Sequence, residues 1–205
     1  MSINVYDNFF SEEDYNFIWQ YCINASYFYG EGGGLNSKFN PKNIRGLSHE
    51  VYYYDDNHIL SEDCRPLGGS PTKIINQKKL FNLFSTSIEK KFPEYKTKDI
   101  TRLYINCFAP YENSYFHTDG EVGTTFLYYP NNDWSLEGIN LVNLPLELNS
   151  LNENGETQFV VDNSMFGIPP VTNRLISFDA NILHRATCFR DRHRFTIAIK
   201  YGIDE

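Results

Sequence analysis

Along residues 194–201 the chain reads Arg-Phe-Thr-Ile-Ala-Ile-Lys-Tyr, and its positions alternate cleanly between two faces. A period of two puts Phe195, Ile197, Ile199 and Tyr201 on one face of a strand and Arg194, Thr196, Ala198 and Lys200 on the other. Further stretches of strand character precede it at 101–108, 124–129, 138–144, 157–161, 165–167, 174–178 and 184–188, with turn-forming residues between them. Eight short strands in about a hundred residues is the density of a sandwich or jelly roll.

The first half has a different rhythm. Residues 3–6 predict a short strand. Ser11 followed by Glu12, Glu13 and Asp14 predicts a capped helix start, and Tyr15, Ile18, Trp19, Cys22 and Ile23 continue it at helical spacing. A second helix is predicted over 76–92, with Leu80, Phe81, Leu83, Phe84, Ile88 and Phe92 as its apolar stripe, Lys78, Lys79, Lys90 and Lys91 on its wet face, and Pro93 as its stop. Residues 49–55 have strand character. The 27–41 stretch carries three consecutive glycines, Gly32 to Gly34, and is expected to be a loop, either a plain connector or a cover over substrate. Residues 56–72, broken by Pro66, Gly68, Gly69 and Pro71, are expected to be irregular, with His58 and Cys64 as solvated loop residues. No repeat or linker divides the chain, so one domain over 1–205 is expected, with a helical part at about 1–98 packed on one face of a β core at about 99–203.

Composition narrows the function classes. The 205 residues carry a net charge of -8, which disfavours broad binding to nucleic acid or to an anionic membrane. Four separated cysteines (Cys22, Cys64, Cys107 and Cys188) with no Cys-x-x-Cys pair argue against structural zinc or a disulfide framework and for free thiols in a reducing compartment. No signal peptide or membrane span is legible, so a cytoplasmic location is expected. The 15 Tyr and 16 Phe suit strands and pocket walls.

Candidate chemistry centres on Tyr115-Phe-His-Thr-Asp-Gly120. In an extended segment His117 and Asp119 share a face, and a second imidazole from His184 completes two His and one carboxylate, a set that leaves half an octahedron open. The same letters would also serve a turn at a strand end. Arg194, pointing inward beside small residues, needs an anion: a dicarboxylate would fit its fork, and so would a salt bridge at the rim. Tyr129 shares a strand face with Thr125 and Leu127 and can offer its hydroxyl to the same anion, or serve as an ordinary core tyrosine; Tyr128 is expected to face outward or into a cleft.

Taken in order, His117-x-Asp119, His184 and Arg194 resemble the Fe(II)/2-oxoglutarate-dependent dioxygenases, and within them the prolyl 4-hydroxylase-like group. Asp7-Asn-Phe-Phe-Ser-Glu-Glu13, Phe126-Leu-Tyr-Tyr-Pro-Asn-Asn-Asp-Trp134, Gly155-Glu-Thr-Gln-Phe159 and Arg174-Leu-Ile-Ser-Phe-Asp179 are similar to segments of that group. Asn154 stands where its Gly-Gly-Glu-Thr signature begins with glycine, Phe108 where many relatives carry a tyrosine, and Arg194 where collagen-type members use lysine. The resemblance implies a double-stranded β-helix (a jelly roll, cupin-like, mainly β with flanking helices). It implies Fe(II) on His117, Asp119 and His184, and 2-oxoglutarate as co-substrate anchored by Arg194 and Tyr129, with Tyr104 or Tyr115 as further candidates. Dioxygen is then consumed, succinate and carbon dioxide are released, and a substrate carbon is hydroxylated, with ascorbate as a candidate accessory. A prolyl residue in a peptide or protein is the expected substrate. A free amino acid or small metabolite is the alternative, and a non-catalytic β-helix binding module is the alternative of another class. Asp179 is a candidate support for the metal ligands.

Overall fold

A computed structural model of the chain describes residues 2–31, 46–53, 71–132, 155–190 and 192–202. Strand β1 (Ile3–Tyr6) leads into helix α1 (Glu12–Asn24), followed by β2 (Phe28–Glu31), β3 (Gly46–Tyr53) and helix α2 (Pro71–Lys91). After a 3-10 turn at Thr97–Asp99 come β4 (Ile100–Phe108), β5 (Thr124–Tyr129), β6 (Thr157–Val161), β7 (Ser164–Ile168), β8 (Arg174–Asp179), β9 (Leu183–Ala186) and β10 (Arg194–Tyr201). The cap expected for α1 is present: Ser11 Oγ accepts the Asp14 amide at 3.2 Å, which satisfies one of the orphan donors of the first turn.

The strands form two sheets. The larger has the order β1-β8-β5-β10-β4-β3-β2 and the smaller β7-β6-β9, with antiparallel pairing throughout. The segment before His117 extends the smaller sheet beyond β9: His117 and His184 exchange two backbone hydrogen bonds of 2.9 Å, and Ser114 and Ala186 bond at 3.1 and 2.7 Å. From β4 onward the chain therefore passes to the small sheet at 114–117, back to the large one in β5, out to β6 and β7, back to β8, out to β9 and back to β10. That alternating path is a double-stranded β-helix.

Two apolar layers follow from the period-two pattern. Phe195, Ile197, Ile199 and Tyr201 join Phe10, Ile18, Leu80, Phe84, Ile88, Leu103 and Ile105 between the helices and the large sheet. Ala198, Leu127, Ile176 and Phe178 join Phe159, Ile168 and Ile182 between the two sheets. Covered on both sides, β10 is buried along all eight residues. Each large side chain fully buried here, Phe84 for example, contributes about 1.5–3 kcal/mol.

Several expectations shift. Tyr128 points neither outward nor into a cleft: it is fully buried beneath the helices, its ring 5.3 Å from those of Phe10 and Phe84, because β5 is covered on both faces. The expected loop over 27–41 begins with β2, which pairs with β3 at the sheet edge; Gly32 to Gly34 lie outside the described residues, as do His58, Cys64, Asn154 and the strand expected at 138–144. Helix α2 starts at Pro71 rather than residue 76, since proline is favoured in a first helical turn, where its missing amide costs nothing. Cys22, Cys107 and Cys188 are free and buried. Among the described residues, no helix is long and apolar enough to cross a membrane.

Candidate metal centre

His117, Asp119 and His184 meet at one end of the space between the sheets, with their ligand atoms within 4.8 Å of one another. His117 and His184 face each other because their backbones are paired across the extended edge of the small sheet, with ring centroids 4.5 Å apart. Asp119 sits in a bend rather than a strand. Its amide and that of Gly120 both donate to Ala180 O, at 2.8 and 3.3 Å, and this tie turns the carboxylate toward the two rings. The Nε2 atoms of His117 and His184 are each 3.8 Å from Asp119, one at Oδ1 and the other at Oδ2.

Both imidazoles are held in one orientation by their own main chain. His117 Nδ1 lies 2.9 Å from Tyr115 O, and His184 Nδ1 lies 2.8 Å from Ile182 O. A carbonyl only accepts, so each Nδ1 carries the proton and each Nε2 keeps its lone pair for a metal. Burial, followed by the neighbouring His117, pulls the pKa of His184 down to about 4, so the ring is neutral at neutral pH. For Asp119 burial pushes the pKa up. The charge of Lys200, the two histidines and a 2.6 Å hydrogen bond from Thr125 outweigh it and hold the carboxyl well below the usual range. Two imidazoles and one carboxylate are the donor set of a divalent first-row ion with open positions.

Further along the same interior lies Arg194, 1% exposed. Its Nε donates to Gly155 O at 2.6 Å and its Nη2 to Thr157 Oγ1 at 2.9 Å, and its Cζ is 5.6 Å from the Tyr129 ring and 5.7 Å from that of Phe108. Gly155 adopts φ +69°, and a Cβ there would collide with the Phe189 ring, so glycine is what lets this carbonyl reach the guanidinium. Tyr129 donates to the same Thr157 oxygen at 2.7 Å. Burial pulls Arg194 down to about 10, still protonated at neutral pH, and among the described residues no carboxylate pairs with it. In the ladder Phe159 faces His184 and Thr157 faces Ala186. One two-residue step, about 7 Å, thus separates the row of the metal donor from the row of the guanidinium's partner.

Sequence reasoning missed Lys200 and Thr125, both bonded to Asp119. The alternation in β10 put Lys200 on the inner face beside Arg194, and the demand of an inward charge for an opposite one applied to it equally. Tyr104 is placed beside Lys200 and Arg102, at 5.6 and 4.3 Å from its ring. Tyr115 contributes its carbonyl to His117. Asp179 supports by its backbone, as the acceptor from Ile182, and its side chain makes no hydrogen bond to the three donors.

No protein-family model matches the chain, and no curated protein matches it. Solved structures do match in fold. A 2OG-Fe(II) oxygenase family oxidoreductase from Burkholderia pseudomallei is similar with a TM-score of 0.64 at 11% identity, over 97% of this chain and 84% of that one. A prolyl hydroxylase from Trichoplax adhaerens, solved with a hypoxia inducible factor peptide fragment, gives 0.55 at 15% identity over 97% and 82%. A prolyl-4-hydroxylase from Pseudomonas putida gives 0.55 at 10% identity over 97% and 91%. At these identities the shared property is the fold.

Proposed function

We propose that this protein is an Fe(II)- and 2-oxoglutarate-dependent dioxygenase that hydroxylates a substrate carbon, and that the substrate is a prolyl residue of a peptide or protein. The reading is carried by the pairing, inside one β-helix, of a three-donor metal constellation with a buried guanidinium, about 7 Å along the ladder, that pairs with no carboxylate among the described residues. His117, Asp119 and His184 hold the ion. Arg194 takes the far carboxylate of a five-carbon diacid as a bidentate partner, with Tyr129 and Thr157 beside it, while the oxo-acid end reaches the ion. Bound iron and 2-oxoglutarate supply the oxidative decarboxylation that consumes dioxygen, yields succinate and carbon dioxide, and delivers oxygen to the substrate carbon. Leu127, Ile176, Phe178 and Ala198 keep the interior apolar and restrict water.

Support for a prolyl substrate comes from the fold shared with prolyl hydroxylases and from the rings near the site. Phe166, 42% exposed, stacks on Phe159, which in turn packs 5.9 Å from His184. An aromatic surface leading toward the metal donors suits a pyrrolidine ring.

Anaerobic addition of Fe(II) and then 2-oxoglutarate tests the cofactor site through the weak visible charge-transfer band of the chelate. The band is expected in the wild type and not in His184→Ala. Proline-containing peptides are then screened by mass for the gain of one oxygen atom. Folded protein that never develops the band refutes the oxygenase reading in favour of a β-helix binding module. A band accompanied by turnover only of a free amino acid or small metabolite refutes the peptide substrate.

A further inference from the structure

The side chain of Lys200 is 8% exposed, and its Nζ lies 3.3 Å from Asp119 Oδ1. The other oxygen of that carboxylate accepts the Thr125 hydroxyl at 2.6 Å, so both oxygens have a protein donor. The Tyr104 ring lies 5.6 Å from the ammonium, and Arg102, opposite Lys200 in the β10–β4 register, lies over the same ring at 4.3 Å from its centroid. Among the described residues Asp119 is the only carboxylate paired with Lys200.

A buried ammonium is stable only when paired, and a buried carboxylate likewise. In the metal-free protein the two satisfy each other. A divalent ion on His117, Asp119 and His184 then enters beside a positive charge already resting on one of its donors, in an interior where charges are weakly screened. Building on the metal-site reading above, we propose that Lys200 is a positioning residue that acts as a resident counter-cation for Asp119: it keeps the carboxylate in place without metal, and it weakens the binding of the divalent ion. The site therefore stays formed when empty and releases its ion more readily than its three donors alone would.

Manganese(II) alone, without co-substrate, is titrated calorimetrically into metal-stripped wild type, Lys200→Met and Lys200→Arg, and each is melted with and without the ion. Lys200→Met is expected to bind manganese at least about tenfold more tightly, because repulsion is gone and the ion becomes the carboxylate's only cation. Its metal-free form melts several degrees below wild type, and saturating manganese restores most of that loss. Lys200→Arg keeps the charge and stays within about threefold of wild type in affinity. Affinity in Lys200→Met equal to or below wild type, or a melting loss that manganese leaves unchanged, overturns the proposal. Should Lys200→Met not survive stripping, Lys200→Gln, with similar length and no charge, is read by the same criteria. Manganese binding that is lost in His184→Ala yet unaltered by Lys200→Met refutes the role of Lys200 alone. A wild type that binds no manganese refutes the metal site, and this proposal with it.

Discussion

Replacing Arg194 by Met separates anion binding from folding. The substitution keeps most of the length and removes two hydrogen bonds, to Gly155 O at 2.6 Å and Thr157 Oγ1 at 2.9 Å. Bonds from a charged donor are worth about 1.5–3 kcal/mol each. Against that loss stands the desolvation of a guanidinium that is 1% exposed and unpaired with any carboxylate among the described residues, a penalty of several kcal/mol. The two effects oppose, so the stability of the metal-free protein should change by less than about 2 kcal/mol. Co-substrate binding has no such cancellation. Loss of one partner of a buried charge pair costs about 2–5 kcal/mol, a roughly 30- to 5,000-fold weaker grip on 2-oxoglutarate. Anaerobic calorimetric titration of 2-oxoglutarate into manganese-loaded Arg194→Met measures the second quantity, and urea denaturation of the same variant the first. Wild-type affinity in a folded variant refutes the anchor assignment. A stability loss above about 4 kcal/mol refutes the cancellation and makes the guanidinium a structural group.

Three further outcomes are expected. His117→Ala and Asp119→Ala abolish 2-oxoglutarate decarboxylation, read as succinate formation, and unchanged turnover in either sinks the ligand assignment. Asn173→Ala costs about 2–4 kcal/mol in urea denaturation: its side chain bonds Phe10 N and O at 3.0 and 2.9 Å and Tyr128 Oη at 2.9 Å, from a backbone at φ 60°. Metal-free stability follows His184, whose pKa is about 4 when folded and about 6.5 when unfolded. The unfolded chain protonates first, so this contribution is complete above about pH 6.5 and is lost as pH falls toward 4, by roughly 3 kcal/mol. Denaturation midpoints measured in chelator over that range should fall for wild type and flatten for His184→Gln.

What could be read from sequence was set by how local the cause was. The period of two in β10 depends on which face each residue shows, and the layers of the fold sort its side chains as the alternation says, with Ala198 inward and Ile197 and Ile199 under the helices. Tyr129 and Arg194 were paired by the same logic, and they share Thr157 Oγ1. The path of 109–119 was harder, because hydrogen bonds to distant segments rather than apolar alternation tie it down: beside the main-chain pairing with His184, Asn113 Oδ1 accepts Cys188 N at 3.0 Å, and Ser114 Oγ accepts Ala186 N at 2.7 Å. Nothing within that segment announces partners so distant in the chain. Tyr128 was misplaced for a related reason: β5 alternates between two buried faces, and period alone does not say which layers cover them.

The carbonyls that orient the two imidazoles belong to residues two positions back, Tyr115 and Ile182, and a carbonyl is common to every amino acid. The coordinating tautomer is thus encoded by the path of the main chain, and the side chains beside it are released from that duty. Residues such as Tyr115 and Phe116 can therefore drift under selection while the orientation of both rings is inherited intact. A library randomised at those two positions is accordingly expected to keep divalent-ion binding in most of its folded members.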